Sequence, residues 1–527
     1  MASDLAATPG GTVTLLPGHD RIPVGLGTSM QEALIRAGVL VDSPCDGQGR
    51  CGKCRVRISP ADAVAPTPHD TITEQDTARG VRLACRLYPT GDDLAVELLT
   101  ADSSEPRPLD GAAGTPHADV GLAIDLGTTT IVAALVDLET GKKLTTVATL
   151  NPQRCFGNDV ISRIHRGSTP EGLAQLCAVV RRALDQIARA LCDRVGICPE
   201  RVASITIAGN PTMLQLAAGI DPAPLGVAPF SATYRGGLAE PDSFGLEACG
   251  NATAYVPPVV DAFIGADVSA GLLAGSILQA ADTVLFVDLG TNGEIVLCCA
   301  DGWYATSAAA GPTFEGMGLS SGMRAAQGAI TSVVLAGDDL QFEVIGNETP
   351  RGLCGSGVID LIAALRSVGM VDETGRLARP GSSLAVPARL LDRLCLRDGQ
   401  PAFQLAPNVL LTQRDVRQLQ LAKGAIRAAI EVVLARAGVT APERLVAAGA
   451  FGSRLGRASA EAVGLFPPGI ASYRYAGNTS LDGCARLLVD ETARTHLETV
   501  AGQIRTLNLA DAPDYFDRFT EHMGFGT

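Results

Sequence analysis

Two common phosphate-binding patterns are missing from the sequence. No GxxxxGK[ST] loop occurs, and no GxGxxG follows a predicted strand and opens a helix, so neither a P-loop nor a Rossmann-type dinucleotide site is predicted. The six histidines show no HxxxH or similar pairing, which argues against a histidine metal site and a Ser-His-Asp site. The sequence has only 42 Lys and Arg against 56 Asp and Glu, which gives a formal charge of −14. We therefore expect no nucleic-acid and no anionic-membrane partner.

Long apolar runs are absent as well. The most apolar region, 268–290, is interrupted by Gln279, Asp282 and Asp288, which predicts a buried core segment and not a membrane span. The first ten residues, MASDLAATPG, contain neither a basic start nor an apolar stretch, so no secretory signal is predicted and we expect a cytoplasmic protein. Because single hydrophobic cores rarely grow beyond about 300 residues, a chain of 527 residues predicts several domains.

The sequence does contain fourteen cysteines, and four of them are organised. Without an export signal, so many cysteines indicate metal ligands and buried thiols more than disulfides. Ten show no CxxC spacing, and we interpret these as small buried hydrophobic residues. The remaining four follow the pattern Cys-x5-Cys-x2-Cys, with the last one thirty residues further on, and are Cys45, Cys51, Cys54 and Cys85.

This cysteine pattern resembles that of plant- and adrenodoxin-type ferredoxins. The resemblance implies a β-grasp domain over 1–100 in which the four thiolates hold a [2Fe–2S] cluster. Gly47, Gly49 and Gly52 would let the loop adopt unusual dihedrals and bring N–H groups towards the cluster sulfurs. A zinc knuckle is the alternative, but zinc sites usually consist of two CxxC pairs and this stretch has one.

Local patterns around the cysteines predict the rest of this domain. Two short strands are predicted over 12–25, and Thr28 or Ser29 can cap the helix that follows. Thr71 and Glu74 have the spacing of a capping box, which predicts a second short helix, and 94–99 alternates like a last strand. Residues 101–118 are rich in Pro, Gly, Ser and Ala without periodicity, and predict a flexible linker.

Beyond the linker, strands alternate with long helical patterns, which predicts an α/β architecture. It contains an internal repeat: AIDLGTTTIVAALVD (123–137) and FVDLGTNGEIVLCC (286–299) share Asp-Leu-Gly-Thr followed by Ile-Val. Two such units indicate two similar halves that face each other across a cleft. We assign 119–280 to the first half, 281–505 to the second and 506–527 to a C-terminal tail that packs on the body.

Each repeat predicts a strand, a tight hairpin and a second strand. Such a hairpin can present backbone N–H groups and hydroxyls to a phosphate chain, and the Asp before it can hold a hydrated Mg²⁺. One copy alone would be ordinary turn chemistry, whereas two copies favour a nucleotide site. The candidate residues in the two copies are Asp125, Gly127, Thr128, Thr129 and Thr130, and Asp288, Gly290, Thr291, Asn292 and Gly293.

Two further Gly-rich turns could contribute to that site. In LVAAGAFGSRLG (445–456), a strand leads through a turn into a helix, and an adenosine could lie close to Gly449, Ala450, Phe451 and Gly452; a plain strand-to-helix connection is the alternative. Gly355, in RGLCGSGVIDLIAAL, begins a helix whose N-terminus could cap a phosphate or simply be capped itself.

The order of these elements resembles the acetate and sugar kinase/heat-shock chaperone/actin superfamily over about 120–490. The resemblance implies two ribonuclease-H-like halves with ATP between them. ITIAGNPTM (205–213) falls where the superfamily has its first connecting segment, which makes Asn210 a candidate near the γ-phosphate. We therefore treat Asp125, Asn210 and Asp288 as the candidate catalytic residues.

The combination of head, linker and ATPase body resembles the reductive activators of corrinoid proteins. Phrases such as CDGQGRCGKC, NPQRCFGNDVISRI and AAAGPTFEGMGLSSGMRAAQGAI carry the resemblance across most of the chain. It implies ATP-dependent delivery of one electron from the [2Fe–2S] cluster to a corrinoid protein, converting inactive Co(II) to Co(I). A low-potential electron donor, bound Mg²⁺ and a homodimer are implied as well.

Three alternatives remain open from the sequence. The first is an ATP-driven electron injector for another low-potential enzyme, as in activators of 2-hydroxyacyl-CoA dehydratases. The second is a ferredoxin-fused small-molecule kinase, for which Asp261 or Asp267 would have to supply a general base. The third is a non-catalytic, ATP-responsive binding module that carries a redox sensor.

Overall fold

The computed structural model describes residues 9–39, 41, 43, 47–49, 51–65, 67, 69, 72–89, 94–99, 106–111, 113–449 and 455–525. The chain divides into two compact units, Met1–Val256 and Pro257–Thr527. Within the described ranges, no helix combines the length and the apolar character needed to span a bilayer.

The N-terminal head is a mixed sheet crossed by one helix. Its strands are β1 (Pro9–Leu16), β2 (Asp20–Gly25), β3 (Arg55–Ser59), β4 (Val81–Leu83) and β5 (Leu94–Leu98), and its helices are α1 (Met30–Arg36) and α2 (Glu74–Ala78). The described strands have the order β2-β1-β5-β3-β4, with β1 and β5 parallel. Val13, Met30, Leu34, Val56 and Val96 form the centre of its buried core. The predicted β-grasp head is confirmed.

Side-chain caps fix where the two head helices begin. Ser29 accepts a hydrogen bond from the Glu32 N–H at 3.2 Å and so caps α1, one of the two predicted choices. Thr73 caps α2 by accepting from the Asp76 N–H at 3.0 Å. Thr71 of the predicted capping box lies outside the described residues, and the described cap of this helix is Thr73, the residue directly before Glu74.

The middle domain completes the first unit. Its strands are β6 (Arg107–Pro108), β7 (Val120–Leu126), β8 (Thr130–Asp137), β9 (Lys143–Leu150), β10 (Val202–Gly209), β11 (Gly237–Ala239) and β12 (Thr253–Val256). Its helices are α3 (Val160–Gly167), α4 (Pro170–Val195), α5 (Pro211–Ala218) and α6 (Ala223–Gly226). Strands β7, β8 and β9 are antiparallel, β10 joins β7 in parallel and β12 joins β10 in parallel, which is a ribonuclease-H-like sheet.

The second half of the predicted linker is fixed to this sheet. Strand β6 pairs with β9, and the Asp110 carboxylate accepts hydrogen bonds from Thr145 Oγ1 at 2.9 Å and Thr146 N at 2.5 Å. Arg194 on α4 donates to the same carboxylate at 3.2 Å. The predicted flexible linker over 101–118 is therefore too long, because Pro- and Gly-rich composition does not reveal partners far along the chain.

The second unit repeats the plan of the middle domain. Its main sheet contains β13 (Val284–Leu289), β14 (Gly293–Cys299), β15 (Gly302–Ala308), β22 (Arg444–Ala448), β23 (Ser472–Tyr475) and β24 (Ile504–Thr506). As in the first sheet, the first strands are antiparallel, β22 joins β13 in parallel and β23 joins β22 in parallel. The two ribonuclease-H-like halves predicted from the repeat are confirmed.

Smaller sheets and helices surround that main sheet. The added strands are β16 (Ala329–Ala336), β17 (Asp339–Val344), β18 (Gly352–Leu353), β19 (Leu394–Arg397), β20 (Gln400–Ala406) and β21 (Val409–Thr412). The helices are α7 (Ala266–Ala274), α8 (Gly355–Ser367), α9 (Ala388–Leu391), α10 (Gln413–Ala437), α11 (Arg457–Ala462), α12 (Thr479–Val489), α13 (Glu491–Ala501) and α14 (Tyr515–Glu521).

Helix α7 belongs by its contacts to the second unit, although the sequence-based boundary at 280/281 assigns it to the first half. A Cβ on Gly271 would lie 2.9 Å from Phe286 of β13 and from Thr479 of α12. A Cβ on Gly483 of α12 would overlap the Ala270 carbonyl. Glycines at these positions let the two helices approach closely, and the contact division accordingly falls at 256/257.

The C-terminal segment is held against α10 by charged contacts. On α14, Arg518 donates to Glu431 Oε2 at 3.0 Å, and His522 Nε2 lies 2.9 Å from the same oxygen. Phe525 is buried, with the Arg366 guanidinium 5.0 Å from its ring centroid. The contact with His522, followed by the charges of His522 and Arg427, lowers the pKa of Glu431 to about 2.

Substituting Glu431→Gln should destabilise the second unit in a pH-dependent way. A lowered pKa in the folded state contributes stability above the ordinary carboxyl pKa of about 4.3, and that contribution is lost as pH falls through about 2. We expect a loss of about 1.5–3 kcal/mol in the free energy of unfolding at pH 7, shrinking steadily below pH ~4.3. Denaturant titration followed by fluorescence of Trp303, the only tryptophan, reports on this unit.

Glu461→Gln is the matched control for that substitution. Glu461 forms an i,i+4 pair with Arg457 in which both side chains are about 40% exposed, so its removal should cost no more than about 0.5 kcal/mol at any pH. A loss in Glu431→Gln that stays constant down to pH 3 would show that the carboxylate charge does not hold the tail.

Candidate functional site

The cysteine loop follows α1 and is built around glycines with left-handed backbone. Gly47, Gly49 and Gly52 have φ of 73°, 71° and 65°, a region that favours residues without a Cβ. The Gly47 N–H donates to Ser43 Oγ at 3.3 Å. A Cβ on Gly47 would lie 3.9 Å from Cys85 Cβ, so the loop passes close to the distant cysteine. Cys45 lies outside the described residues.

Two of the predicted ligands face each other in the head core. Cys54 and Cys85 are buried, and their Sγ atoms are 3.4 Å apart. The hydrogen bond with Cys85 is the main cause that lowers the pKa of Cys54 to about 7, so its thiolate forms readily. The structure brings Cys54 and Cys85 together, and no group of three or more side chains that could hold a metal ion is found among the described residues.

Two residues that the sequence analysis did not single out hold the loop from outside. Arg86 donates to the Gln48 carbonyl at 2.8 Å, and His69 Nε2 lies 2.8 Å from the Gly49 carbonyl. A buried thiol pair with a lowered thiol pKa, under a loop of left-handed glycines, is a donor set that fits an iron–sulfur cluster. When bound, that cluster supplies one-electron transfer at low potential.

The first hairpin connects β7 to β8. The Gly127 N–H donates to the Thr130 carbonyl at 3.1 Å, and a Cβ on Gly127 would lie 2.5 Å from that oxygen, so the turn admits only glycine. Asp125 stands near the carboxyl end of β7, next to the parallel strand β10. Asn210 directly follows β10 and its Nδ2 donates to Thr128 Oγ1 at 2.9 Å. The structure therefore brings Asn210 and the hairpin together.

Asn210 and Asn151 serve as anchors of this hairpin. Asn210 caps α5 by accepting from the Met213 N–H at 3.0 Å, which orients its amide towards the hairpin. Asn151 is fully buried, and it donates from Nδ2 to the Gly127 carbonyl and from its backbone N–H to the Thr129 carbonyl, both at 2.9 Å. The sequence analysis missed Asn151, although it lies in the quoted phrase NPQRCFGNDVISRI.

The second hairpin connects β13 to β14 and rests on α10. The Gly290 N–H donates to the Asn292 carbonyl at 2.9 Å, and a Cβ on Gly293 would overlap Ile426 of α10. Thr291 does not present a free hydroxyl: its Oγ1 donates to Glu315 at 2.6 Å.

A partly buried carboxylate accompanies Asp288 on the same face of this hairpin. Asp288 and Glu294 are directly opposite each other in the antiparallel register, so their side chains share one face of the sheet. Burial, with the nearby charges of Asp267 and Asp288, raises the pKa of Glu294 well above its usual range. The sequence analysis singled out neither Glu315, which bonds Thr291, nor Glu294, which lies opposite Asp288; the E of DLGTNGE was the available signal for Glu294.

The remaining predicted nucleotide residues are placed as follows. Gly355 is the first residue of α8, and Gly449 follows β22 with φ 124° while its carbonyl accepts from the Tyr475 hydroxyl at 2.5 Å. Ala450, Phe451 and Gly452 lie outside the described residues.

Comparison with known proteins identifies the family. A model of the 2Fe-2S iron-sulfur cluster binding domain matches 14–90, the RACo middle region matches 120–280, and the C-terminal domain of RACo, the ASKHA domain, matches 282–527. The corrinoid activation enzyme RamQ of Eubacterium limosum is 32% identical over 425 residues, which is 77% of this chain and 70% of that protein. The chain belongs to the family of ATP-dependent reductive activators of corrinoid proteins.

Two further relatives support the same family. The [Co(II) methylated amine-specific corrinoid protein] reductase of Methanosarcina barkeri is 28% identical over 410 residues, covering 71% of this activator and 70% of that protein. A solved structure titled reductive activator for corrinoid,iron-sulfur protein superposes with a TM-score of 0.71 at 26% identity, covering 97% of this activator and 98% of that chain. The predicted resemblance is confirmed, together with the predicted [2Fe–2S] and ATP cofactors.

In this activator, Asn210→Ala should weaken nucleotide binding beyond its effect on stability. The substitution removes the cap of α5, worth about 0.5–2 kcal/mol, and releases the Thr128 side chain. We expect the Kd of a non-hydrolysable ATP analogue, measured by calorimetry, to rise about tenfold or more. Asn508→Ala removes a comparable Asn cap, at the Ala510 N–H, and should leave that Kd unchanged. Equal Kd values in both variants would exclude Asn210 from the nucleotide site.

Cys51→Ser should abolish electron transfer by the cluster but not ATP binding. We expect the visible absorbance of the cluster to disappear and electron transfer to fall to background, while the ATP analogue still binds, because the residues of the two hairpins lie outside the head. Cys198→Ser changes an exposed thiol and should alter neither. Loss of nucleotide binding in Cys51→Ser would contradict the modular architecture.

Proposed function

We propose that this activator delivers one electron from its [2Fe–2S] cluster to the Co(II) of a corrinoid protein, giving Co(I), and that ATP drives the transfer. The observation that carries the proposal is the presence, in one chain, of the paired buried thiols of the head and the two repeated hairpins of the ATPase halves. Such a reaction requires a one-electron carrier and a nucleotide-binding part whose conformation changes with ATP.

The need for ATP follows from redox potentials. Ferredoxin-type [2Fe–2S] clusters whose cysteine ligands have this spacing have reduction potentials of about −400 mV. For a one-electron transfer, each ~59 mV by which the reduction potential of the acceptor lies below that of the cluster lowers the equilibrium constant tenfold. Reduction of a lower-potential acceptor is therefore unfavourable without an energy source. Binding and hydrolysis of ATP at the hairpins can offset this deficit when they are linked to the step that brings donor and acceptor together.

The residues have distinct roles in this proposal. Cys45, Cys51, Cys54 and Cys85 hold the cluster. Asp125 before the first hairpin and Asp288 before the second each supply, within their own half, a carboxylate of the kind that Mg²⁺ prefers as a protein ligand. Asn210 and the hairpin N–H groups orient the phosphates. Glu294, beside Asp288 and with a raised pKa, can keep a proton next to the phosphate site.

The kinase alternative is less well supported. Asp261 accepts hydrogen bonds from Thr506 Oγ1 at 2.7 Å and the Ala262 N–H at 2.8 Å, and Asp267 accepts from the Val268 N–H at 2.9 Å. These contacts favour structural roles for both carboxylates over that of a general base. An electron injector for a different low-potential enzyme keeps the same parts and is separated from the main proposal by the identity of the acceptor.

We also propose a cytoplasmic location, because cysteines arranged as ligands of an iron–sulfur cluster are typical of a reducing compartment. The acceptor is a corrinoid protein, the electron donor is a low-potential reductant, and the homodimer stays a prediction from the sequence.

The direct test uses reduced activator mixed with a Co(II) corrinoid protein under anaerobic conditions. We expect the absorbance of Co(I) to develop with ATP and Mg²⁺ and not without them. In Asp125→Ala the cluster spectrum should persist while ATP-dependent reduction falls at least about tenfold, because the metal ligand next to the first hairpin is lost. ATP-independent reduction at the same rate, or ATP consumption coupled to a phosphorylated small molecule, would refute the proposal.

A further inference from the structure

We propose that the middle domain carries a docking site for the [2Fe–2S] head, in which Gln31 connects the cysteine loop to the 151–156 turn, and that nucleotide at the first hairpin loosens this contact. The inference rests on the proposed nucleotide site and adds a route by which that site acts on the head. The head and the middle domain lie in the same compact unit.

The docking contact is made by α1 of the head. Gln31 is 5% exposed, which is unusual for a glutamine, and its Nε2 donates to the Cys155 carbonyl of the middle domain at 3.4 Å. Just after α1, Gly38 has φ 78°, and a Cβ there would lie 2.8 Å from Arg182 Nη1 on α4. A residue with a side chain would therefore meet both backbone strain and the arginine.

Gln31 also touches the cysteine loop. Its Oε1 lies 3.3 Å from the position that a Cβ on Gly47 would take. This oxygen is buried and has no hydrogen-bond partner among the residues that the structure describes. A buried acceptor without a partner destabilises the arrangement that contains it, so the docked head is held by a contact that is easily broken.

The other side of the contact leads to the first hairpin. Cys155 lies in the 3-10 turn Pro152–Phe156, which Asn151 caps by accepting from the Gln153 N–H at 3.0 Å. Asn151 in turn holds the Gly127 and Thr129 carbonyls. The turn is thus bonded to the hairpin through Asn151, at its start, and to the head through Cys155, near its end.

The turn is packed tightly enough to transmit a displacement. Phe156 is fully buried, and Gln153 is buried with its Nε2 donating to the Leu176 carbonyl on α4 at 3.1 Å. Close-packed segments shift as units and do not absorb small movements locally. A phosphate chain that repositions the Gly127–Thr129 backbone therefore repositions the Cys155 carbonyl.

The proposed reaction determines whether nucleotide favours the docked or the undocked head. A cluster that receives an electron from one protein and gives it to another must leave the middle domain to meet its partner. A nucleotide that promotes delivery must therefore favour the undocked head, and by linkage undocking must strengthen nucleotide binding by the same factor.

Hydrogen exchange measured by mass spectrometry on the holoprotein tests this route. A non-hydrolysable ATP analogue should speed amide exchange in peptides covering 30–39 and 151–156 by about two- to tenfold, the range that one net hydrogen bond corresponds to. In Gln31→Ala, exchange in 30–39 should be fast without nucleotide and unresponsive to it, and the Kd of the analogue should fall by the same factor. Gln31→Glu keeps the size of the side chain but lacks the N–H donor to the Cys155 carbonyl, so it should behave like Gln31→Ala.

Gln75→Ala, an exposed glutamine on α2 of the same head, is the matched control and should respond like the unchanged protein. The absorbance of the cluster must be equal in all variants. Exchange that responds at 126–130 and 151–156 but not at 30–39, or that slows at 30–39, would overturn the docking proposal alone. No response to nucleotide at 126–130 would instead overturn the proposed nucleotide site.

Discussion

The structure depends on two hairpins that each contain one position with no room for a side chain. In the first, the Thr130 carbonyl occupies the space of a Cβ on Gly127, and in the second, Ile426 of α10 occupies that of a Cβ on Gly293. Each hairpin brings its second strand back immediately, which places an aspartate, a set of N–H groups and a neighbouring parallel strand at one edge of each sheet. The glycine-only position differs between the copies: it is Gly127 in the first hairpin and Gly293, not the equivalent Gly290, in the second.

The second hairpin links nucleotide chemistry to the C-terminal segment through α10. Ile426 packs against Gly293, and two residues earlier Gly424 lies against the end of α14, where a Cβ would be 3.3 Å from the His522 carbonyl. Lys423 is buried and contacts the Gly524 carbonyl. A single rigid helix thus supports the hairpin on one face and the tail on another, so the charges around Glu431 help to fix a surface on which the hairpin rests.

The sequence predicted features that depend on short spacing. The glycine-rich cysteine loop, the Ser29 cap and each of the two hairpins follow from residues close together in the sequence, and the paired ribonuclease-H-like sheets follow from the recurrence of the hairpin sequence. The features it missed depend on distance along the chain: Gln31 meets Cys155 124 positions away, and the supposed linker binds β9 through Asp110. Composition and periodicity carry no information about such partners, and for the same reason Thr291 was not recognised as bonded to Glu315.

A contact that is easily broken is what an electron carrier needs on its own body. If the head were held by a large apolar surface, release would require more free energy than a change in one hairpin can supply. If it were not held at all, nucleotide at the first hairpin would have no means to influence where the cluster goes. One imperfectly satisfied glutamine, bonded to a turn that is itself bonded to the hairpin, lies between these limits. Its small net free energy is of the order that differential binding of a phosphate chain can reverse.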